Sequence, residues 1–157
     1  MRSYLNDCQK IEQVMGEVYR KLAGVSTYSE KLRGIFDRMA RDEDDHALQL
    51  GLAKGVPDEV FSEGSRFDPQ HLDELLRLAH QLLRMADDPP RSESLMLETA
   101  KDVEMEFMEI HLQNAVKFRN AGMAELFWDL AREDEKHFEN LDSYYESSEK
   151  TSRHSLH

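Results

Sequence analysis

The chain of 157 residues has a single cysteine, Cys8, which excludes an internal disulfide and any Cys-x-x-Cys metal knuckle. Proline and glycine are scarce, at four and seven residues, so few positions force a helix to stop. Alternating runs of β-branched and aromatic residues, the mark of strands, are nearly absent. No apolar run approaches the roughly 20 residues of a membrane span. The opening segment MRSYLNDCQK lacks the apolar stretch of a secretion signal. Positive charge is also short: 20 Lys and Arg stand against 32 Asp and Glu, a net charge of -12. That balance argues against nucleic acid or an anionic membrane as a partner, because both need basic surface. The expectation is an acidic, cytoplasmic protein of one domain, long enough to bury a proper core.

What is abundant is helix-forming Glu, Leu, Met, Ala, Lys and Arg. The apolar spacing predicts four long helices: about Tyr4 to Ala23, ending at Gly24; from after Ser26 and Thr27 to near Gly55; from after Pro89–Pro90 to near Gly122; and from there to about Tyr145. Short connections at Gly24 and Gly122 imply antiparallel hairpins. The long link over residues 56–91 reads as a crossover with a helix of its own, capped by Asp68 with Pro69 in its first turn. Residues 1–147 are thus expected to form the bundle, and the polar tail 148–157 to fray.

The chain repeats itself. Residues 11–23, IEQVMGEVYRKLA, resemble residues 103–115, VEMEFMEIHLQNA, at an offset of 92. Residues 35–46, IFDRMARDEDDH, resemble residues 126–137, LFWDLAREDEKH, at an offset of 91. The second pair ends in Glu43-x-x-His46 and Asp134-x-x-His137. An acid three before a histidine is weak by itself; Asp68-Pro-Gln-His71 is one too, and reads as a helix start. The other two differ in position. Glu12 falls within the seam Cys8, Ile11, Met15, Val18 and Leu22, and Glu104 within the seam Ala100, Val103, Phe107 and Ile110. Glu43 and His46 fill a gap in the seam of the second helix, as Asp134 and His137 do in the fourth. Burying four bare carboxylates is prohibitively costly. Two divalent cations would balance the four charges, with two imidazoles as neutral ligands. Mixed carboxylate and imidazole ligation suits iron or manganese, with zinc also open.

One Glu from each of two helices, plus an acid-x-x-His from each of the other two, resembles the ferritin-like di-iron superfamily. Glu12 followed by Tyr19, and the segments MARDEDDH and LAREDEKH, look like its rubrerythrin-like branch, over roughly Tyr4 to Tyr145. The resemblance implies an all-α, ferritin-like four-helix bundle: two antiparallel hairpins joined by a long crossover containing a short extra helix. It implies two iron ions held by Glu12, Glu43, His46, Glu104, Asp134 and His137, with Glu43 and Asp134 bridging. Tyr19 and His111 lie about 10.5 Å along their helices from Glu12 and Glu104, so they are expected to hydrogen-bond ligands rather than ligate. Three departures stand out: Asp134 where the branch has Glu, His111 where the repeat expects Tyr, and Phe107 where rubrerythrins carry a further Glu. The activity implied is reduction of O2 or hydrogen peroxide, with electrons from a separate donor protein. An iron-binding, ferroxidase or storage protein and a metal-free helical interaction module remain alternatives, and exposed apolar residues such as Trp128 leave room for a homodimer. Glu17, Glu109 and the other acids of the run around Asp42 to Asp45 read mostly as solvated faces.

Overall fold

A computed structural model describes residues 2–55 and 68–154. Within them the chain forms α1 (Arg2–Ala23), α2 (Glu30–Ala53), α3 (Pro69–Asp87), α4 (Glu93–Ala115) and α5 (Ala121–His154). The stops and starts follow side-chain chemistry. Ser29 caps α2, its Oγ accepting from Leu32 N at 3.1 Å. Asp68 caps α3 by accepting from Gln70 N and His71 N at 3.0 and 3.3 Å, with Pro69 in the first turn. Asn120 Oδ1 accepts from Met123 N at 3.0 Å at the start of α5.

Two boundaries differ from the reading of the sequence. α4 ends at Ala115, short of Gly122, and Asn120 rather than the glycine caps the next helix. α5 runs on to His154 instead of ending near Tyr145. Ser147 and Ser148 donate their hydroxyls back to the carbonyls of Tyr144 and Tyr145, and Glu146 faces Lys150 at 3.8 Å. These local bonds satisfy a polar segment in helical form. The tail expected to fray over 148–157 is therefore helical to His154, and 155–157 lie outside the described residues. So does 56–67, the first third of the expected crossover.

The pairing is that of two antiparallel hairpins. α1 packs on α2: Gln9 reaches Ala47 O at 2.9 Å, and Arg20 pairs with Asp44 at 2.5 Å further along. Gly16 makes room for this approach, since a Cβ there would meet Asp44 Oδ1 at 3.0 Å and Glu43 Cβ at 3.5 Å. α4 packs on α5, with Lys101 bonded to Asp142 at 2.5 Å and His111 to Asp134 at 2.6 Å. α2 meets α5, and α3 lies along α1, where Lys21 bonds Asp87. One end is closed by Glu93, which accepts from Ser29 N at 2.5 Å and from Tyr144 OH at 2.6 Å.

The apolar stripes face inward together. Leu5, Met15, Leu22, Phe36, Met39, Leu97, Phe107 and Phe127 are all fully buried. Each such side chain stabilises the fold by about 1.5–3 kcal/mol relative to exposure. Cys8 packs among them as a buried free thiol, its proton held tightly by burial. Among the described residues no helix is long and apolar enough to cross a membrane.

Candidate metal centre

Eight polar or charged residues are buried with this core: Glu12, Glu43, His46, Glu104, His111, Asn114, Asp134 and His137. Seven of them form one cluster, and all six expected ligands are in it. Glu12 from α1, Glu43 and His46 from α2 offer ligand atoms within 4.8 Å of one another. Glu43, Glu104, Asp134 and His137 do the same, so Glu43 belongs to both groups.

The orientation of individual oxygens is the informative part. Glu43 turns Oε2 to His46 Nδ1 at 3.1 Å and Oε1 to His137 Nδ1 at 3.5 Å, spanning the two groups. Glu12 has Oε1 tied to His111 Nε2 at 3.2 Å, while Oε2 lies 3.7 Å from His46 Nδ1. Glu104 accepts from Tyr19 OH on Oε1 and places Oε2 3.3 Å from His137 Nδ1. Asp134 has Oδ2 bonded to His111 Nδ1 at 2.6 Å. Each of Glu12, Glu104 and Asp134 thus has one oxygen anchored by an outer partner; the other faces a ligand histidine in Glu12 and Glu104 and is buried in Asp134. The two histidines present the same nitrogen, Nδ1, to the centre, with ring centroids 6.1 Å apart.

A fit to cations is tested by the atoms that no donor satisfies. Glu12 Oε2, Glu43 Oε1 and Asp134 Oδ1 are buried without a hydrogen bond. Buried acceptors are rarely left unpaired. All three are carboxylate oxygens of this cluster. The donor set of carboxylates and imidazoles, with each outer atom fixed by a further bond, fits divalent metal ions.

The electrostatics show what the cluster does on its own. Burial alone would push the imidazoles down. For His46 the bonds to Glu12 and Glu43 outweigh it and raise the pKa to about 11. For His111, Asp134 and Glu12 raise it to about 10. His137 is also raised, against burial, by Asp42, Glu104 and Glu43. Burial and the neighbouring Glu12 charge push Glu43 up to about 8, and burial raises Glu104. Glu12 is held well below the usual range: burial opposes this, but the bonds from His111 and His46 prevail. Protons on His46 and His137 therefore compete with metal for the same Nδ1 atoms.

Tyr19 and His111 both bond to the cluster's carboxylates, Tyr19 to Glu104 and His111 to Glu12 and Asp134, each across to other helices. Asp42 corrects the reading of its acidic run as solvated face. Its Oδ2 lies 3.1 Å from His137 Nε2, and this bond holds the Asp42 carboxyl below its ordinary value. A carboxylate behind a histidine fixes the ring and its tautomer. The only signal in the sequence was its position immediately before Glu43, which does not distinguish it from Asp44 or Asp45. Asp42 also lines a groove of about 370 Å³ between α2 and α5, together with Asp45, His46, Asp129 and Glu133. The groove joins the surface to the edge of the cluster.

No family model, curated protein or solved structure matches this chain.

Proposed function

We propose that the protein is a di-iron carboxylate oxidoreductase of the ferritin-like, rubrerythrin-like kind, reducing O2 or hydrogen peroxide with electrons from a separate donor protein. The observation that carries this reading is the set of buried, unpaired oxygens on Glu12, Glu43 and Asp134 within two ligand groups that also hold His46 and His137. Glu12, Glu43 and His46 would hold one ion, and Glu43, Glu104, Asp134 and His137 the other. Bound ferrous ions would supply reducing equivalents and open coordination positions for the oxidant.

The chain's own residues have definite parts in this. Tyr19 holds Glu104 by its outer oxygen, and His111 holds Glu12 and Asp134 in the same way. Asp42 sets the ring of His137. Phe127, whose ring lies 5.8 Å from His111, and Phe107, beside Glu12 and His111, help to exclude bulk water. The acidic groove between α2 and α5 attracts cations and gives small molecules a way to His46. Stopped-flow mixing of the ferrous-loaded protein with O2 and with hydrogen peroxide tests the reading. Oxidation of the bound iron well ahead of free Fe²⁺ is expected with at least one oxidant; rates equal to free Fe²⁺ with both would reject it. Iron oxidation for storage is separated from turnover by assembly state, since a cage needs many subunits.

A second reading has one specific observation behind it. His111 brings a third imidazole into the cluster, so three protonated histidines, with Glu43 keeping its own proton, can neutralise the four carboxyl groups without metal. The protein would then be a helical interaction module with a proton-balanced polar core. Metal content after anaerobic reconstitution separates the two.

A further inference from the structure

We infer that His111 makes the two metal positions unequal: it confines Asp134 to the Glu104–His137 side, so that side takes a divalent cation first and more tightly than the Glu12–His46 side. This rests on the two-metal reading of the cluster and concerns how its halves divide the ligands.

The internal repeat by itself predicts equal halves. Glu12 matches Glu104, Glu43 matches Asp134, and His46 matches His137. Two replacements break the match, and they meet in space. On one side Tyr19, with a single hydroxyl, anchors a single carboxylate, that of Glu104. At the matching position His111 has two ring nitrogens and uses both. Nε2 lies 3.2 Å from Glu12 Oε1, and Nδ1 lies 2.6 Å from Asp134 Oδ2. His111 is a positioning residue: both its nitrogens are engaged with carboxylates, and it belongs to neither ligand group.

The consequence for Asp134 is geometric. Its side chain is one methylene shorter than Glu43, and one of its two oxygens is held by His111. Only Oδ1 remains without a hydrogen bond. Asp134 falls within reach of Glu43, Glu104 and His137 but outside the Glu12–Glu43–His46 group. Glu43 is in the opposite situation, with one oxygen facing each histidine. The Glu104 side therefore has four ligand residues, three of them carboxylates, while the Glu12 side has three ligand residues, two of them carboxylates. The first cation gains most on the Glu104 side. Once there it draws on the charge of the shared Glu43, which leaves less for the second.

The test is an anaerobic titration of the full chain with Co²⁺, read by ligand-field absorbance and by calorimetry. Two binding phases are expected, with dissociation constants at least about tenfold apart, the lower end of what altered outer partners do to metal sites. Glu12→Gln should remove the weak phase and keep the tight one. Glu104→Gln should weaken the tight phase. The pair His111→Tyr with Asp134→Glu, which restores the repeat, should bring the two constants to within about threefold, by the same scale. Two equivalent Co²⁺ ions binding to the wild type in one phase would overturn the inference and leave the two-metal reading standing. Loss of the tight phase in Glu12→Gln would also overturn it. Absence of any Co²⁺ binding would remove both. The wild-type and Glu12→Gln titrations decide the matter even if the double variant does not fold.

Discussion

Replacing Tyr19 by Phe removes one atom from the centre's support and leaves the rest of the packing alone. The ring is fully buried and stacks on Phe36 at 5.8 Å with planes 10° apart, so Phe fits the same space. What is lost is the hydroxyl that donates to Glu104 Oε1. That oxygen then has no donor in a buried setting, which costs about 1–3 kcal/mol. For a chain of this length a destabilisation of 1 kcal/mol lowers Tm by about 3 °C, so the metal-free variant should melt about 3–9 °C below the wild type. There is a second effect. Burial already raises the Glu104 carboxyl, and the Tyr19 bond opposes that rise. Without it Glu104 holds its proton more firmly, and a cation must displace it. Affinity on the Glu104 side should fall about ten- to a hundred-fold, with the Glu12 side unchanged. Scanning calorimetry of the metal-free proteins and Zn²⁺ calorimetry give the two readouts. A Tm within about 1 °C of wild type together with unchanged Zn²⁺ affinity would refute the reasoning.

Glu43→Ala removes the one residue common to both ligand groups, and should leave no more than one metal per chain under conditions that load two in the wild type, measured by elemental analysis. Asp42→Asn weakens the support behind His137 Nε2 and should lower affinity on the Glu104 side about ten- to a hundred-fold with little change in Tm. pH acts with a definite sign on the metal-free protein. His46 and His111 have folded values raised to about 11 and about 10 against an ordinary 6.5, so their contribution is complete below about pH 6.5 and is lost as pH rises towards 10. Urea midpoints of the metal-free protein should therefore fall between about pH 7 and pH 10. A flat profile would show that the imidazoles are not charged in the fold.

The helices were legible in the sequence because their stripes are regular and their ends carry strong signals, such as Asp68–Pro69 before α3 and Pro89–Pro90 before α4. The end of α5 was not, because Ser147 and Ser148 read as loop residues until their hydroxyls are seen bonded back to the helix. The six acids and histidines of the centre were visible as polar residues interrupting apolar seams, and the repeat tied them together. Asp42 was invisible for a physical reason. It stands beside Glu43 on the helix, about 100° round, and only the approach of α5 brings His137 to it. His111 showed as a break in the repeat, but nothing in one dimension could say that its two nitrogens reach carboxylates on different helices.

The central claim is that this buried cluster is a site for two metal ions. Anaerobic reconstitution of the purified full chain with excess Fe²⁺, removal of unbound iron, and elemental analysis test it most directly. The account predicts about two iron ions per chain, one for each ligand group. A chain that stays folded and retains no iron, manganese or zinc would contradict it, and would mean that protons on His46, His111, His137 and Glu43 balance the cluster instead.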